Sequence, residues 1–405
     1  MNELVSFVRT IEIAIWGVPL LCLFIGVSIY LTCVLRGVQF RYLFKALSLI
    51  GAKEKKSAQG DISPFQSLMT SMASAVGTGS IVGIATGISA GGVGAIFWLW
   101  VTSFLLMAVK YAEALLAVRY RTVDKNGEMS GGPMYYIAQG LGWKKMAALF
   151  AVFASIATFG TGNLVQINSI AEAVHNITSI PTWLTGLVFM GFTIIVLMGG
   201  IKSIGRISAL LVPIMGFFYI ACGIYVIAAY WEYIPHAFQI IVSSAFTGQA
   251  ACGGFIGSTA MMAVQMGVSR STFCSEAGLG ISSIAAAAAR TESSGRQAML
   301  SMTATLLATV LICTITGLVI VITGVLGQTD SNGMLINGAS LAIAAFESVI
   351  LESKDFTKKI IKLLSTRIRR TNDIVLSIYK KDREEKIISA LNSFYNIQIS
   401  AKNIK

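Results

Sequence analysis

Residues 64–89 read PFQSLMTSMASAVGTGSIVGIATGIS, apolar enough overall to cross a bilayer yet carrying Gly77-Thr78-Gly79-Ser80 at the middle. Glycine lets the backbone leave helical geometry. A helix opened there strands amide and carbonyl groups in hydrocarbon, at roughly several kcal/mol per group unless something polar is bound. A second apolar stretch, 247–267, carries Gly253-Gly254-Phe255-Ile256-Gly257-Ser258. Taken alone, the first cluster reads better as small residues that let helices pack closely, as Gly79-xxx-Gly83 would. Together they favour a ligand site, because broken helices at corresponding positions of two halves mark the binding site of transporters.

The rest of the chain supports a membrane setting. Of 405 residues, 55% are hydrophobic and 12% charged, which defines an integral membrane protein. With about 20 apolar residues per crossing, spans are predicted at 11–35, 64–89, 95–118, 145–173, 182–199, 205–230, 236–267 and 300–325, with a short ninth at 337–351. Lys and Arg fill alternate connections: Arg36, Arg41 and Lys45 to Lys56 in the first, Arg119 to Lys145 in the next, then Lys202 and Arg206, then Arg270, Arg290 and Arg296. The intervening loops near 90–94, 175–181, 231–236 and 326–336 have none. Cytoplasmic loops hold the basic excess, so the N-terminus is expected outside and the C-terminus in the cytoplasm of a multi-pass plasma-membrane protein, a bacterial inner membrane being the expected setting.

The net charge of +12 does not point to nucleic acid. Thirteen of the 31 basic residues follow Leu351, and the others obey the loop pattern. The first apolar segment outruns the roughly 7–15 residues of a signal-peptide core and reads as a retained helix. Cys22, Cys33, Cys222, Cys252, Cys274 and Cys313 show no paired spacing and read as small apolar residues. His175 and His236 fall at predicted outer ends, too few and too far apart for a metal cluster.

Ser63-Pro64 is expected to open the second span, and Pro181 and Pro235 the fifth and seventh. Met129-Ser130-Gly131-Gly132-Pro133 reads as a turn before a short helix near 134–141. The two broken spans are the second and the seventh, which enter the bilayer in opposite directions. That is the arithmetic of an all-α, inverted five-plus-five repeat transporter fold preceded by one extra N-terminal helix, with the second repeat incomplete. Residues 1–351 form the expected transmembrane domain and 352–405 a basic cytoplasmic tail. In the tail, Phe356, Ile360, Ile361, Leu364 and Ile368 alternate helically with basic residues. A helix lying on an anionic leaflet and a solvated tail describe it equally well.

Within the spans, Thr78 and Ser80 offer hydroxyls beside the free amides of the next half-helix, a fit for a carboxylate. The fourth span holds Gly160-Thr161-Gly162-Asn163-Leu164-Val165-Gln166. Asn163 and Gln166, three apart, share a helix face and aim two amides into the bundle. Lys110 and Glu113 sit toward one end of the third span, where pairing or snorkelling would suffice. No His, paired carboxylate or Cys–His set lies within a predicted span, which excludes intramembrane catalysis. A zwitterionic substrate and a Na⁺ held by carbonyls and hydroxyls need no buried acid.

Several runs together resemble the alanine/glycine:cation symporter family, over roughly residues 10–350: Gly77-Thr78-Gly79 with Ile81-Val82-Gly83, Gly131-Gly132-Pro133-Met134-Tyr135-Tyr136, Gly162-Asn163 with Gln166 and Asn168, Gly253-Gly254-Phe255, Glu276-Ala277-Gly278-Leu279-Gly280, and Cys313-Thr314. The resemblance implies an eleven-span fold and symport of alanine or glycine with Na⁺ as the coupling ion, without an enzyme cofactor. It implies substrate contacts at Thr78, Gly79 and Gln166, joined by Asn163 and by Gly253, Gly254 and Phe255 of the second cluster. It implies Na⁺ near Gly77, Ser80, Thr309 and Thr314. Ser80 and Ser275 stand where the family often has asparagine, and Ala308 where aspartate is common before Thr309. Nothing after Glu352 matches the family's last two spans, so a truncated, non-transporting remnant is the alternative expectation.

Overall fold

Ser63 starts the decisive helix as its neighbours predict. Its hydroxyl accepts the Gln66 amide (3.1 Å), the Gln66 side chain accepts the Ser63 amide (2.8 Å), and Pro64 takes the first turn, where no amide is needed. This and all later geometry come from a computed structural model, which describes residues 6, 17–52, 58–247, 260–329, 333 and 335–352. The second glycine cluster, Gly253 to Ser258, lies outside the described residues, as do residues 11–16 of the first span and the tail from residue 353.

The described helices follow one another as α1 (Val18–Val34), α2 (Val38–Arg41), α3 (Leu43–Ser48), α4 (Pro64–Ala75), α5 (Val82–Gly91) and α6 (Ala95–Arg119). A two-stranded ribbon, Thr122–Val123 with Met129–Ser130, precedes α7 (Pro133–Gly140). Then come α8 (Lys144–Ala157), α9 (Val165–Thr178), α10 (Thr182–Met198), α11 (Gly200–Ala229), α12 (Ile234–Thr247), α13 (Ala260–Ser275), α14 (Ile281–Ala287), α15 (Ser294–Ala304), α16 (Cys313–Ile322) and α17 (Gly338–Glu352). Two π turns, Thr158–Leu164 and Thr305–Ile312, join α8 to α9 and α15 to α16. Among the described residues, four helices are long and apolar enough to cross a membrane: Ala95–Arg119, Lys144–His175, Gly200–Ala229 and Ser294–Ile322, with shorter apolar helices as well. Contacts group the chain into two units, Met1–Glu347 and Ser348–Lys405, and α1 to α16 lie within the first.

Proline placement departs slightly from expectation. Pro181 caps α10 instead of entering it, and Pro235 is the second residue of α12. Either position leaves no helical hydrogen bond unmade.

Helix packing relies on small residues, since lipid removes the hydrophobic drive and leaves dispersion and close approach. A Cβ on Gly267 would lie 2.6 Å from Trp98 Cβ and 2.7 Å from Ala95 O, so α13 touches α6 backbone to backbone. A buried cluster of Leu68, Met72, Val212, Leu300, Ala304 and Ile312 ties α4 to α11, α15 and the second π turn. Below α4, the Gly131-Gly132 turn presses on α14, where a Cβ on Gly131 would meet Ala287 Cβ at 2.5 Å. Arg121 locks this corner by donating to the carbonyls of Ala287, Ala289, Gln59 and Thr291 at 2.7–3.2 Å. Half-burial pulls the Arg121 guanidinium below its ordinary value, and Asp61 opposes that shift.

Candidate functional site

Between α4 and α5 the helix opens over residues 76–81. Val76 N–H still donates to Met72 O (2.7 Å), Ile81 N–H reaches Gly77 O (3.1 Å) and Gly83 N–H reaches Thr78 O (2.8 Å). The amides of Gly77, Thr78, Gly79 and Ser80 make no main-chain hydrogen bond among the described residues. The break thus carries donors at the positive end of α5 and lies beyond the negative end of α4, where an anion and a cation respectively are favoured.

A cavity of about 360 Å³ opens beside it, and it collects the residues the sequence singled out: Thr78 and Gly79 from the break, Gly162 and Asn163 from the first π turn, and Gln166 from α9. Thr70, Ser71 and Ser74 of α4 continue the wall, and Phe273, Glu276 and Leu279 close it from α13 and the turn after it. A wider groove of about 890 Å³ lies along α5, bounded by Val82, Thr86, Leu164, Asn168, Glu172 and Trp183. The smaller cavity therefore follows the α4 half of the broken helix and the larger groove the α5 half.

The other face of the break is dry. Ser80 is fully buried; its hydroxyl lies 2.6 Å from Ala75 O and 3.4 Å from Ala308 O. Ser80 O accepts from Thr316 (3.0 Å), and Gly79 O accepts from the Cys274 thiol (3.0 Å). Thr309 and Thr305, on the second π turn, are fully buried, and their hydroxyl oxygens have no hydrogen-bond partner among the described residues. Orphaned buried oxygens behind an opened helix are the kind of donor set a hard monovalent cation takes. Thr314 is occupied elsewhere: its hydroxyl accepts from Trp100 Nε1 (2.7 Å) and donates to Val310 O.

Two features escaped sequence reading. Phe273 and Glu276 reach the cavity only because the chain turns back after α13, which no local spacing reveals. The hydroxyl stripe Ser67, Ser71, Ser74, Thr78 was legible, since spacings of four, three and four residues place one helix face. Of the two expected arrangements for Lys110 and Glu113, pairing or snorkelling, snorkelling is not found. Both are buried, at 3% and 8% exposure. Lys110 Nζ donates to Ser275 O (2.7 Å), and Glu113 Oε1 accepts the amides of Gly278 (2.9 Å) and Gly280 (3.1 Å). The pair clamps the turn that carries Glu276, because in a packed interior those main-chain groups need partners.

Apolar helices long enough to cross a membrane, with one helix opened beside a polar cavity, are the architecture of a multi-pass membrane carrier. The profile of the sodium:alanine symporter family matches residues 1–367, and the chain belongs to that family. The match runs beyond Glu352, where resemblance was expected to stop. The chain is 47% identical over 356 residues to the sodium/alanine symporter AgcS of Methanococcus maripaludis, covering 86% of this chain and 77% of that protein. It is 44% identical over 338 residues to an uncharacterized transporter of Haemophilus influenzae, covering 83% and 74%. A probable sodium/glutamine symporter, GlnT of Bacillus subtilis, is 33% identical over 328 residues, covering 81% and 68%. The protein is accordingly a secondary transporter and not an enzyme, a sodium-coupled amino-acid symporter whose family uses Na⁺ as the coupling ion.

Proposed function

We propose that this symporter carries small neutral amino acids, alanine or glycine, together with Na⁺ by alternating access around the broken helix. The observation that carries the reading is the convergence of Thr78, Gly79, Asn163 and Gln166 on one 360 Å³ cavity at the free amides of residues 77–80. The substrate carboxylate meets those amides and the Thr78 hydroxyl, and the Gln166 and Asn163 amides complete its hydrogen bonding. Na⁺ sits on the dry side, between the opened backbone at Gly77 and the buried oxygens of Ser80 and Thr309. Thr314 is left out of this set, because Trp100 and Val310 already engage its hydroxyl. Gly253, Gly254 and Phe255 enter as the substrate-facing counterpart on the second broken span.

The same reading takes residues 1–351 as the transport domain, built as an inverted five-plus-five repeat after one extra helix, and 352–405 as a basic tail. It places the N-terminus outside and the C-terminus in the cytoplasm of a plasma membrane, on the Lys and Arg pattern. The named substrate of one relative, alanine, supports the small-substrate choice; a second relative named for glutamine is the competing specificity. The test is uptake of labelled alanine, glycine and glutamine into proteoliposomes with an inward Na⁺ gradient, beside choline. Alanine or glycine accumulation that needs Na⁺ and is lost in Thr78→Ala and Gln166→Ala is the expected result. Accumulation unchanged in both variants would overturn the site, and glutamine preferred over alanine would overturn the substrate.

A further inference from the structure

Glu276 occupies a position that helices commonly leave to glycine. It follows the last residue of α13 with φ at 54°, in the left-handed region, where a side chain meets steric resistance that glycine escapes. Its amide closes the turn on Thr272 O (2.8 Å). The side chain reaches the wall of the 360 Å³ cavity, where it is the charged residue among the described lining. Lys110 lies within electrostatic reach of both Glu113 and Glu276. Glu276 thus brings a carboxylate to a cavity whose described lining holds no basic residue.

The facing wall is rich in acceptors. Thr70, Ser71 and Ser74 donate their hydroxyl protons to Gln66 O (2.8 Å), Ser282 O (3.4 Å) and Ser71 O (3.2 Å). What those hydroxyls have left to offer is lone pairs. An anion finds no donor in this part of the wall, whereas a cationic group finds one carboxylate and several neutral oxygens.

We infer that Glu276 and the α4 hydroxyls form a subsite for a singly charged cationic group, on the α4 side of the break and separate from the residues of the break itself. The inference rests on the proposed transport function. The cationic group has two sources of the same chemistry, the ammonium end of a zwitterionic amino acid and a Na⁺ other than the one placed on the dry face.

Glu276→Gln keeps the shape and removes the charge; Glu276→Asp keeps the charge. In proteoliposomes, the half-saturating alanine concentration is measured at saturating Na⁺, and the half-saturating Na⁺ concentration at saturating alanine. Glu276→Gln is expected to raise at least one of the two by tenfold or more, with Glu276→Asp restoring part of it. A rise for alanine alone assigns the ammonium, a rise for Na⁺ alone assigns the ion, and a rise in both assigns a subsite the two share. Both constants within twofold of the unaltered protein would overturn the inference. Should Glu276→Gln not survive size-exclusion chromatography, Ser74→Ala is expected to move the same constants twofold to fivefold, and its silence counts equally against the subsite. If the unaltered protein accumulates no amino acid, the transport reading fails, and thermal unfolding of the purified protein in detergent decides the subsite independently. Stabilisation by NaCl or glycine over choline chloride that disappears in Glu276→Gln supports it. Equal stabilisation in both proteins, or none in either, defeats it.

Discussion

The π turns at Thr158–Leu164 and Thr305–Ile312 interrupt helices of similar length, 32 and 29 residues, yet they face opposite environments. The first presents Gly162 and Asn163 to the cavity, and the second buries Thr305 and Thr309 completely. A π turn inserts one residue into the helix and re-aims side chains without ending it, which is why such turns gather at functional sites. Where the inserted turn holds glycine and asparagine, it offers a wet, hydrogen-bonding surface to a zwitterion. Where it holds threonine among Leu, Ala and Val, it offers bare oxygens in a dry setting. The broken helix runs between them and meets both, through Gly79 at the cavity and through Ser80 at Ala308 O. On this view one backbone opening serves two ligands from two faces.

The largest effect is expected where neither π turn is touched. Glu113 is buried and accepts two amides of the turn after α13. Each amide left without an acceptor costs about 1–3 kcal/mol. Glu113→Ala should therefore lose folded protein in detergent and all uptake of either ligand. A variant that remains monodisperse and active would show that the turn, and the cavity wall it carries, needs no clamp.

Next comes the wet side alone. On the proposed site, Gln166→Ala removes one hydrogen bond to a charged substrate, about 1.5–3 kcal/mol, so the alanine concentration for half-maximal uptake should rise about 10- to 150-fold. The half-saturating Na⁺ concentration at saturating alanine should stay in place. A variant that moved the Na⁺ constant by as much would erase the distinction between the two faces.

The first half of this arrangement was readable in the amino-acid order alone. Gly77 to Ser80 announced the opening because a second glycine and hydroxyl cluster stands at the corresponding place of the other half, and Ser63-Pro64-Phe65-Gln66 announced where the helix begins. Asn163 and Gln166 stood out because amides in an apolar span require a partner. The dry face was less legible. Thr309 could be named only through family resemblance, since threonine in a membrane helix commonly satisfies itself on the preceding turn, as Thr314 and Thr316 do. Nothing local shows that the π turn leaves Thr309 without that bond. The partners of Lys110 and Glu113 were illegible for a related reason: their three-residue spacing fixes a shared face but not what packs against it, and the opposing main chain comes from residues 165 and 167 positions away.

Thr309→Val probes the dry side with a smaller expected effect. The substitution preserves shape and removes a buried, unpartnered hydroxyl, so the protein without Na⁺ should unfold at the same temperature or slightly higher. With Na⁺, one oxygen ligand is lost, about 1 kcal/mol or about fivefold in the half-saturating Na⁺ concentration. A drop in stability without Na⁺ would mean the hydroxyl has a structural partner and is no ion ligand.

Thr314 supplies the finest test, because it lies only five residues from Thr309 on the continuous helix yet points to a different neighbour. The end of the π turn and the start of α16 carry the side chain onto Trp100. Its hydroxyl joins α16 to α6 through the indole N–H (2.7 Å). Thr314→Val strands that N–H in a half-buried position, at about 1 kcal/mol, near the lower end of the range for an unsatisfied donor. Thermal unfolding should fall by a few degrees at most, equally with Na⁺ and with choline, and the half-saturating Na⁺ concentration should be unchanged. If instead Na⁺ loses its protective effect in this variant, the ion is held by the whole helix face from Thr309 to Thr314. The division between a wet turn for the substrate and a single dry turn for the cation would then have to be redrawn around α16.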